Sequence, residues 1–152
     1  MTKLSAGLLM CRQRNGETEI LLVHPGGPFW RKKDLGAWTF PRGTVESGEE
    51  PLQTAQREFQ EETGLIPIPP FTSLGEIRQK SGKRVLAWAF QGDCDPSQIK
   101  SNTFELDWPP KSGRQQTFPE IDRAEFFRID QATQKLFPAE VPFLERLHEI
   151  GW

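Results

Sequence analysis

Apolar residues along this chain come mostly in short, strand-length bursts, and helical spacing is confined to a few stretches. Leu4 to Arg12 and Glu19 to His24 read as strands on either side of an Asn15-Gly16 turn signal. Pro25-Gly-Gly-Pro28 then breaks regular structure, and residues 29–35 form a basic, aromatic loop. Ala37 to Phe40 is a short apolar strand that stops at Pro41. Pro51 to Thr63 is the clearest helix: Pro51 suits the first turn, where its missing N–H costs nothing, and Gly64 suits the position just past the end. After Pro67, Pro69 and Pro70, the segments Phe71 to Lys80 and Arg84 to Gln91 read as a hairpin around Ser81-Gly82-Lys83. Asp93 to Ile99 is loop-like, Thr103 to Trp108 an edge strand, Pro109 to Phe118 a long polar loop, and Ala124 to Arg128 a further strand. Asp130 caps a short helix to Leu136, and Val141 to Ile150 supports a last helix with Phe143, Leu144 and Leu147 on one face. Strands flanked by helical regions predict a layered α/β or α+β domain.

Composition adds bounds rather than chemistry. The 152 residues suit one domain spanning 1–152, without repeats or linkers. A net charge of −2, from 19 basic and 21 acidic side chains, gives no global field toward nucleic acid or membrane. An anionic ligand must be held by local charges or by a bound cation. Cys11 and Cys94 have no Cys/His neighbours at zinc spacing and read as reduced thiols. The apolar run 4–11 is too short for a secretory leader, and no stretch reaches the ~20 apolar residues of a membrane helix. A cytoplasmic protein without a membrane partner is expected, as a monomer or homodimer.

The helix at 51–63 carries the chemistry. At ~100° per residue, Leu52, Ala55 and Phe59 share the core arc, and Gln53, Gln56 and Gln60 a solvent arc. Glu58, Glu61 and Glu62 share the third, being i, i+3 and i+4 neighbours. Each like-charge pair costs a few tenths of a kcal/mol, and acids near a helix C-terminus oppose the macrodipole by roughly 0.3–1 kcal/mol each. A hard divalent cation removes both penalties. Taken alone, the cluster fits either a solvated acidic face or a cation site.

The preceding loop decides between them. Gly43, five residues, Glu49, seven residues and then Arg57-Glu58-Phe59-Gln60-Glu61-Glu62-Thr63-Gly64-Leu65 resembles the Nudix box at every defining position. The seven fixed identities give a chance match of roughly 10⁻⁸ per start site. The resemblance implies an α/β/α sandwich with a mixed, curved sheet. It implies that Glu58, Glu61 and Glu62, with the Gly43 carbonyl, ligate Mg²⁺, for which Mn²⁺ is a substitute. Glu49 and Arg57 become supporting residues. Family members often add an acid before an aromatic strand, and of Glu120, Asp122 and Glu125, which precede Phe126-Phe127, Glu120 is chosen. The implied reaction is hydrolysis of a pyrophosphate bond, with Glu61, Glu58 or Glu120 as the base.

The substrate is expected to be a nucleotide-derived small molecule. Trp38-Thr-Phe-Pro-Arg42-Gly43 is similar to the opening of asymmetrical dinucleoside tetraphosphate hydrolases, which makes a dinucleoside polyphosphate the leading expectation. Against it, the chain has no tyrosine to stack a base. The ADP-ribose members often carry a proline where Lys80 and Ser81 stand. ADP-ribose or nucleotide-sugar cleavage, NTP pyrophosphohydrolysis and a silent nucleotide-sensing module are the alternatives, the last opposed by the intact glutamates. An RNA-end substrate is disfavoured by the acidic balance, as is long nucleic acid generally. Arg42, Trp38, Arg31, Lys33 and Arg114 are the candidate substrate contacts, with Trp30, Trp88 and Trp108 further stacking candidates. His24 and His148 lack partner spacing and read as core or surface residues.

Overall fold

The computed structural model describes residues 3–152. β1 (Leu4–Arg14) is the central strand of a mixed sheet. It pairs antiparallel with β2 (Glu17–Pro25) through a turn at Asn15 and Gly16, both at positive φ, as a two-residue hairpin requires. β3 (Arg42–Thr44) pairs antiparallel with the first part of β1, at Ser5, Ala6 and Gly7. β5 (Arg84–Gln91) runs parallel to β1 and carries β4 (Thr72–Arg78) on its outer edge. β8 (Ile121–Arg128) closes the other edge against β2, giving the order β4-β5-β1-β2-β8.

Residues 5–11 of β1 are buried without alternation, because both faces of the sheet are covered. On one face α1 (Pro51–Thr63) inserts Ala55 and Phe59 against Ala6, Leu8, Met10, Leu21 and Phe90. On the other, α2 (Ile129–Lys135) and α3 (Pro142–Glu149) pack with Trp38 and Phe40 over Leu9, Cys11, Ile20, Leu22, Val85 and Ala87. The expected α/β/α sandwich with an open, mixed sheet is therefore present. Among the described residues no helix is long and apolar enough to cross a membrane.

Two expectations about strands change, and the helix expected to be capped by Asp130 instead has Arg128 at its N-cap, with Asp130 in the first turn. The loop expected at 109–118 contains β7 (Gln115–Pro119), which pairs with β6 (Thr103–Asp107) as a separate two-stranded sheet. Gln115, Gln116 and Thr117 are all exposed, so this strand lacks an apolar alternation and is held by pairing and by Phe104 against Phe118. Ala37 to Phe40 forms single bridges, Thr39 to Val23 and Trp38 to Leu136, rather than a strand. Pro41 has no N–H with which to continue a ladder.

Candidate active site

α1 begins at Pro51, and the Gln53 side chain accepts the Glu50 N–H at 3.2 Å. It ends at Gly64, whose φ of 77° is the left-handed cap and whose N–H returns to the Gln60 carbonyl. Between these ends the three glutamates meet different surroundings. Glu61 is the most open, at 45% side-chain exposure, against 20% for Glu58. The Glu58 side chain lies against Gly43, in space that a Cβ at position 43 would fill. Glu62 lies close to the Arg42 backbone N–H, which opposes the rise of its carboxyl. Its Oε2 is nevertheless buried without a hydrogen-bond partner.

Burial, then the neighbouring Glu58 charge, pushes the Glu62 carboxyl up to about 9. Glu58 is raised too, by burial first, with Arg57 opposing and Glu61 and Glu120 adding to the rise. Arg57 is the counterion that lets these acids share a helix face. Its Nε and Nη2 donate to the two Glu49 oxygens at 2.8 and 3.0 Å. Its Nη1 reaches Glu58 at 3.0 Å and Glu61 at 3.3 Å. Glu49 also accepts from Thr54 Oγ1 at 2.6 Å, and Arg57 first, then Thr54, draw its carboxyl down to about 2. The bidentate Arg57–Glu49 pair thus ties the 43–50 loop to the helix, as the motif implies.

Among the described residues no three acidic, histidine or cysteine side chains are already closed into a metal cage. The donor set still fits a hard cation. An orphaned carboxylate oxygen on Glu62, a Glu58 carboxylate seated on Gly43 and an exposed Glu61 one turn away supply oxygen donors only, as Mg²⁺ or Mn²⁺ prefers.

Of the three acids considered outside the box, Glu120 is the one whose charge reaches Glu58 and Glu62. Its segment is fixed by backbone bonds, Glu120 N–H to Asn102 and Gly26 N–H to Glu120, at 2.9 and 2.8 Å. Asp122 instead faces His24 Nδ1 at 2.7 Å, while His24 Nε2 contacts the Lys33 carbonyl at 2.7 Å. His24 is thus a fully buried core residue that pins the 26–36 loop to β8. Glu125 lies exposed on β8 opposite Leu22.

The expected substrate contacts divide. Trp38 is fully buried, its Nε1 donating to Asp34 at 2.8 Å and its ring edge-on to His24 and Phe127, so it cannot stack on a base. Arg114 sits near the tip of the β6–β7 hairpin, six residues from Glu120 and therefore about 20 Å along the strand. Its backbone hydrogen bonds, to Ser112 Oγ and from Trp108 N–H, stay within the hairpin. Arg31 and Lys33 are exposed on the 26–36 loop, with the Lys33 ammonium 5.0 Å from the Trp30 ring. Arg42 does not form a surface ion pair: its side chain is 14% exposed and its Nη1 stands 2.8 Å from an oxygen of the fully buried Glu140, although neither of these two atoms makes a hydrogen bond. Glu140 was not legible in the sequence. It lies in a 3₁₀ turn, Pro138–Glu140, between two short helices, where no periodicity marks an inward position.

Arg42 also lines a largely apolar cavity of about 770 Å³, with Trp30, Gln79, Lys80, Ser81, Phe137, Pro138 and Ala139. Trp30 and Phe137 stand 5.5 Å apart, centroid to centroid. Two aromatic side chains beside Arg42, Gln79, Lys80 and Ser81 suit a flat ligand that also carries polar groups, such as a nucleobase. Of the tryptophans offered as stacking candidates, Trp30 lines this cavity.

Residues 1–147 match the family model described as NUDIX domain. The RNA pyrophosphohydrolase of Xylella fastidiosa is 43% identical over 49 residues, 32% of this chain and 26% of that protein. That of Vibrio cholerae is 31% identical over 96 residues, 60% of this chain and 49% of that protein. The chain therefore aligns with half or less of the length of these two relatives. Among solved structures, a C. elegans Ap4A hydrolase binary complex superposes with a TM-score of 0.67 at 20% identity, covering 98% of this chain and 97% of that one. The NUDIX domain of Shewanella oneidensis NrtR complexed with ADP ribose gives 0.66 at 16% identity, over 99% and 88%. At these identities the likeness establishes the fold.

Proposed function

Because this chain belongs to the Nudix hydrolase family, we propose that it hydrolyses a pyrophosphate bond in a nucleoside diphosphate-linked substrate in the presence of Mg²⁺, with a dinucleoside polyphosphate preferred. The observation that carries this reading is the Glu58 carboxylate seated on Gly43 beside the buried, unpartnered Glu62 oxygen. Two carboxylates held this close, one of them with an empty acceptor, are costly without a cation and useful with one.

Glu58, Glu61, Glu62 and the Gly43 carbonyl would hold the ion. When bound, the cation neutralises phosphate oxygens and makes the attacking water more acidic. Arg57 keeps Glu49, Glu58 and Glu61 in register along one face of the helix. Glu120 brings another carboxylate toward Glu58 and Glu62, where it takes the water's proton. The cavity beside Arg42 accepts the nucleoside, and Trp30 and Phe137 supply its aromatic contacts.

The dinucleoside reading is supported by Pro41-Arg42-Gly43 and its neighbours. A second reading, a triphosphorylated RNA 5′ end, is favoured by the relatives' names and by exposed Arg31, Lys32 and Lys33 beside Trp30. A substrate panel with Mg²⁺, its products separated by chromatography, discriminates between them. Dinucleoside tetraphosphate is expected to turn over faster than any canonical NTP. Preference for ADP-ribose or a sugar nucleotide would refute that choice, and preference for triphosphorylated RNA would install the second reading.

A further inference from the structure

β2 and β8 pair one for one as far as His24 and Arg123, but Pro25 then pairs with Ile121, so Asp122 is the extra residue of a β-bulge. A bulge breaks the alternation of a strand, and here Asp122 and Arg123 both fall on the His24 side. Asp122 reaches His24 Nδ1 at 2.7 Å, and the Arg123 guanidinium stands 5.0 Å from the ring of Trp38, which packs edge-on to His24. The bulge begins two residues past Glu120.

The Pro25-Gly26-Gly27-Pro28 break grips the same stretch from its other end. Gly26 N–H donates to the Glu120 carbonyl at 2.8 Å, and Glu120 N–H donates to Asn102 at 2.9 Å. A Cβ at position 26 would collide with the Pro119 carbonyl, which is backbone and cannot swing aside. The far end of the loop returns to His24, whose Nε2 donates to the Lys33 carbonyl at 2.7 Å, since a carbonyl can only accept. A buried histidine needs partners wherever it lies. What sets this one apart is convergence: with Gly26, it fixes the backbone or side chain of residues 119, 120 and 122.

We propose that His24, Gly26 and Asp122 are positioning residues that hold Glu120 toward Glu58 and Glu62. Glu120 is exposed and makes no side-chain hydrogen bond among the described residues, so its carboxylate is placed by its backbone. Its charge nevertheless bears on both box glutamates. The assignment rests on the reading of Glu120 as the proton acceptor and adds what keeps it in reach. Asp122→Asn retains the clamp, because the amide donates to His24 Nδ1 while Nε2 still donates to Lys33. Asp122→Ala opens it, and with 28% of the Asp122 side chain exposed the alanine variant should fold.

The test pairs amide hydrogen exchange with a double-mutant cycle. Asp122→Ala should speed exchange of the Gly26 and Glu120 N–H groups about tenfold while the α1 amides keep their protection. With Mg²⁺ and a saturating dinucleoside tetraphosphate, or whichever panel substrate turns over fastest, it should lower kcat about tenfold, because the acceptor is displaced rather than removed. Asp122→Asn should restore both. In a Glu120→Gln background, Asp122→Ala should lower kcat by no more than about twofold further, since there is no acceptor left to misplace. Gly26→Ala, which displaces the Pro119 carbonyl without touching His24, should show the same loss of additivity, which maintains the test if Asp122→Ala fails to fold. Unchanged exchange, or losses in kcat that multiply in the double variant, would make the clamp merely structural and overturn the assignment. Failure of the base reading is separate: wild-type kcat in Glu120→Gln alone, or absent turnover, would overturn that reading and this assignment together, with the exchange pattern intact.

Discussion

Gly43→Ala should lower kcat by about 10²-fold or more while leaving the fold in place. The backbone at Gly43 is not in the left-handed region, so alanine meets no conformational barrier there. The obstacle is the Glu58 side chain, whose Cγ and Cδ occupy the space the new methyl group needs. A flexible glutamate can swing away, so the stability cost is small, but the carboxylate then leaves the place where Glu62 and the Gly43 carbonyl would share a cation with it. A displacement of about 1 Å at a reacting centre is enough for a loss on this scale. A thermal melt and circular dichroism check the fold, and steady-state kinetics at saturating Mg²⁺ give the rate. Near wild-type kcat would mean that the Gly43–Glu58 contact has no part in the reaction.

Glu120→Gln is the other large effect expected, a fall in kcat of about 10²-fold, the usual scale for loss of a general base. Glu120 is exposed and makes no side-chain hydrogen bond among the described residues, so its neutral isostere should fold normally. Its backbone bonds to Asn102 and Gly26 do not depend on the carboxylate. The substitution instead removes a negative charge that bears on Glu58 and Glu62. An active Glu120→Gln variant would return the proton-accepting role to Glu58 or Glu61.

These effects depend on features that differ in how far the sequence displays them. α1 has the expected limits because its signals are local: Pro51 in the first turn, the apolar arc of Ala55 and Phe59, and Gly64 as the cap. The Asn15-Gly16 turn is local in the same sense, since the turn itself demands positive φ at both residues. Glutamate spacing and the loop back to Gly43 likewise sit within one continuous segment. What escaped is set by long-range contacts. Glu140 and Arg42 are 98 positions apart in sequence and meet only because the 3₁₀ turn before α3 folds over β3. Trp38 reads equally well as a base platform or a core residue until Asp34, His24 and Phe127 surround it. Arg114 looked useful because nothing local shows that β7 carries it away from Glu120.

The central claim is that the glutamate face of α1 binds a divalent cation, and Mn²⁺ titration calorimetry addresses it most directly. The wild-type protein should give saturable binding, and a Glu61→Gln/Glu62→Gln variant, with its melt unchanged, should bind more weakly by roughly tenfold or more, because cation affinity follows the charge count of the ligands. Equal Mn²⁺ affinity in the two proteins would contradict the claim.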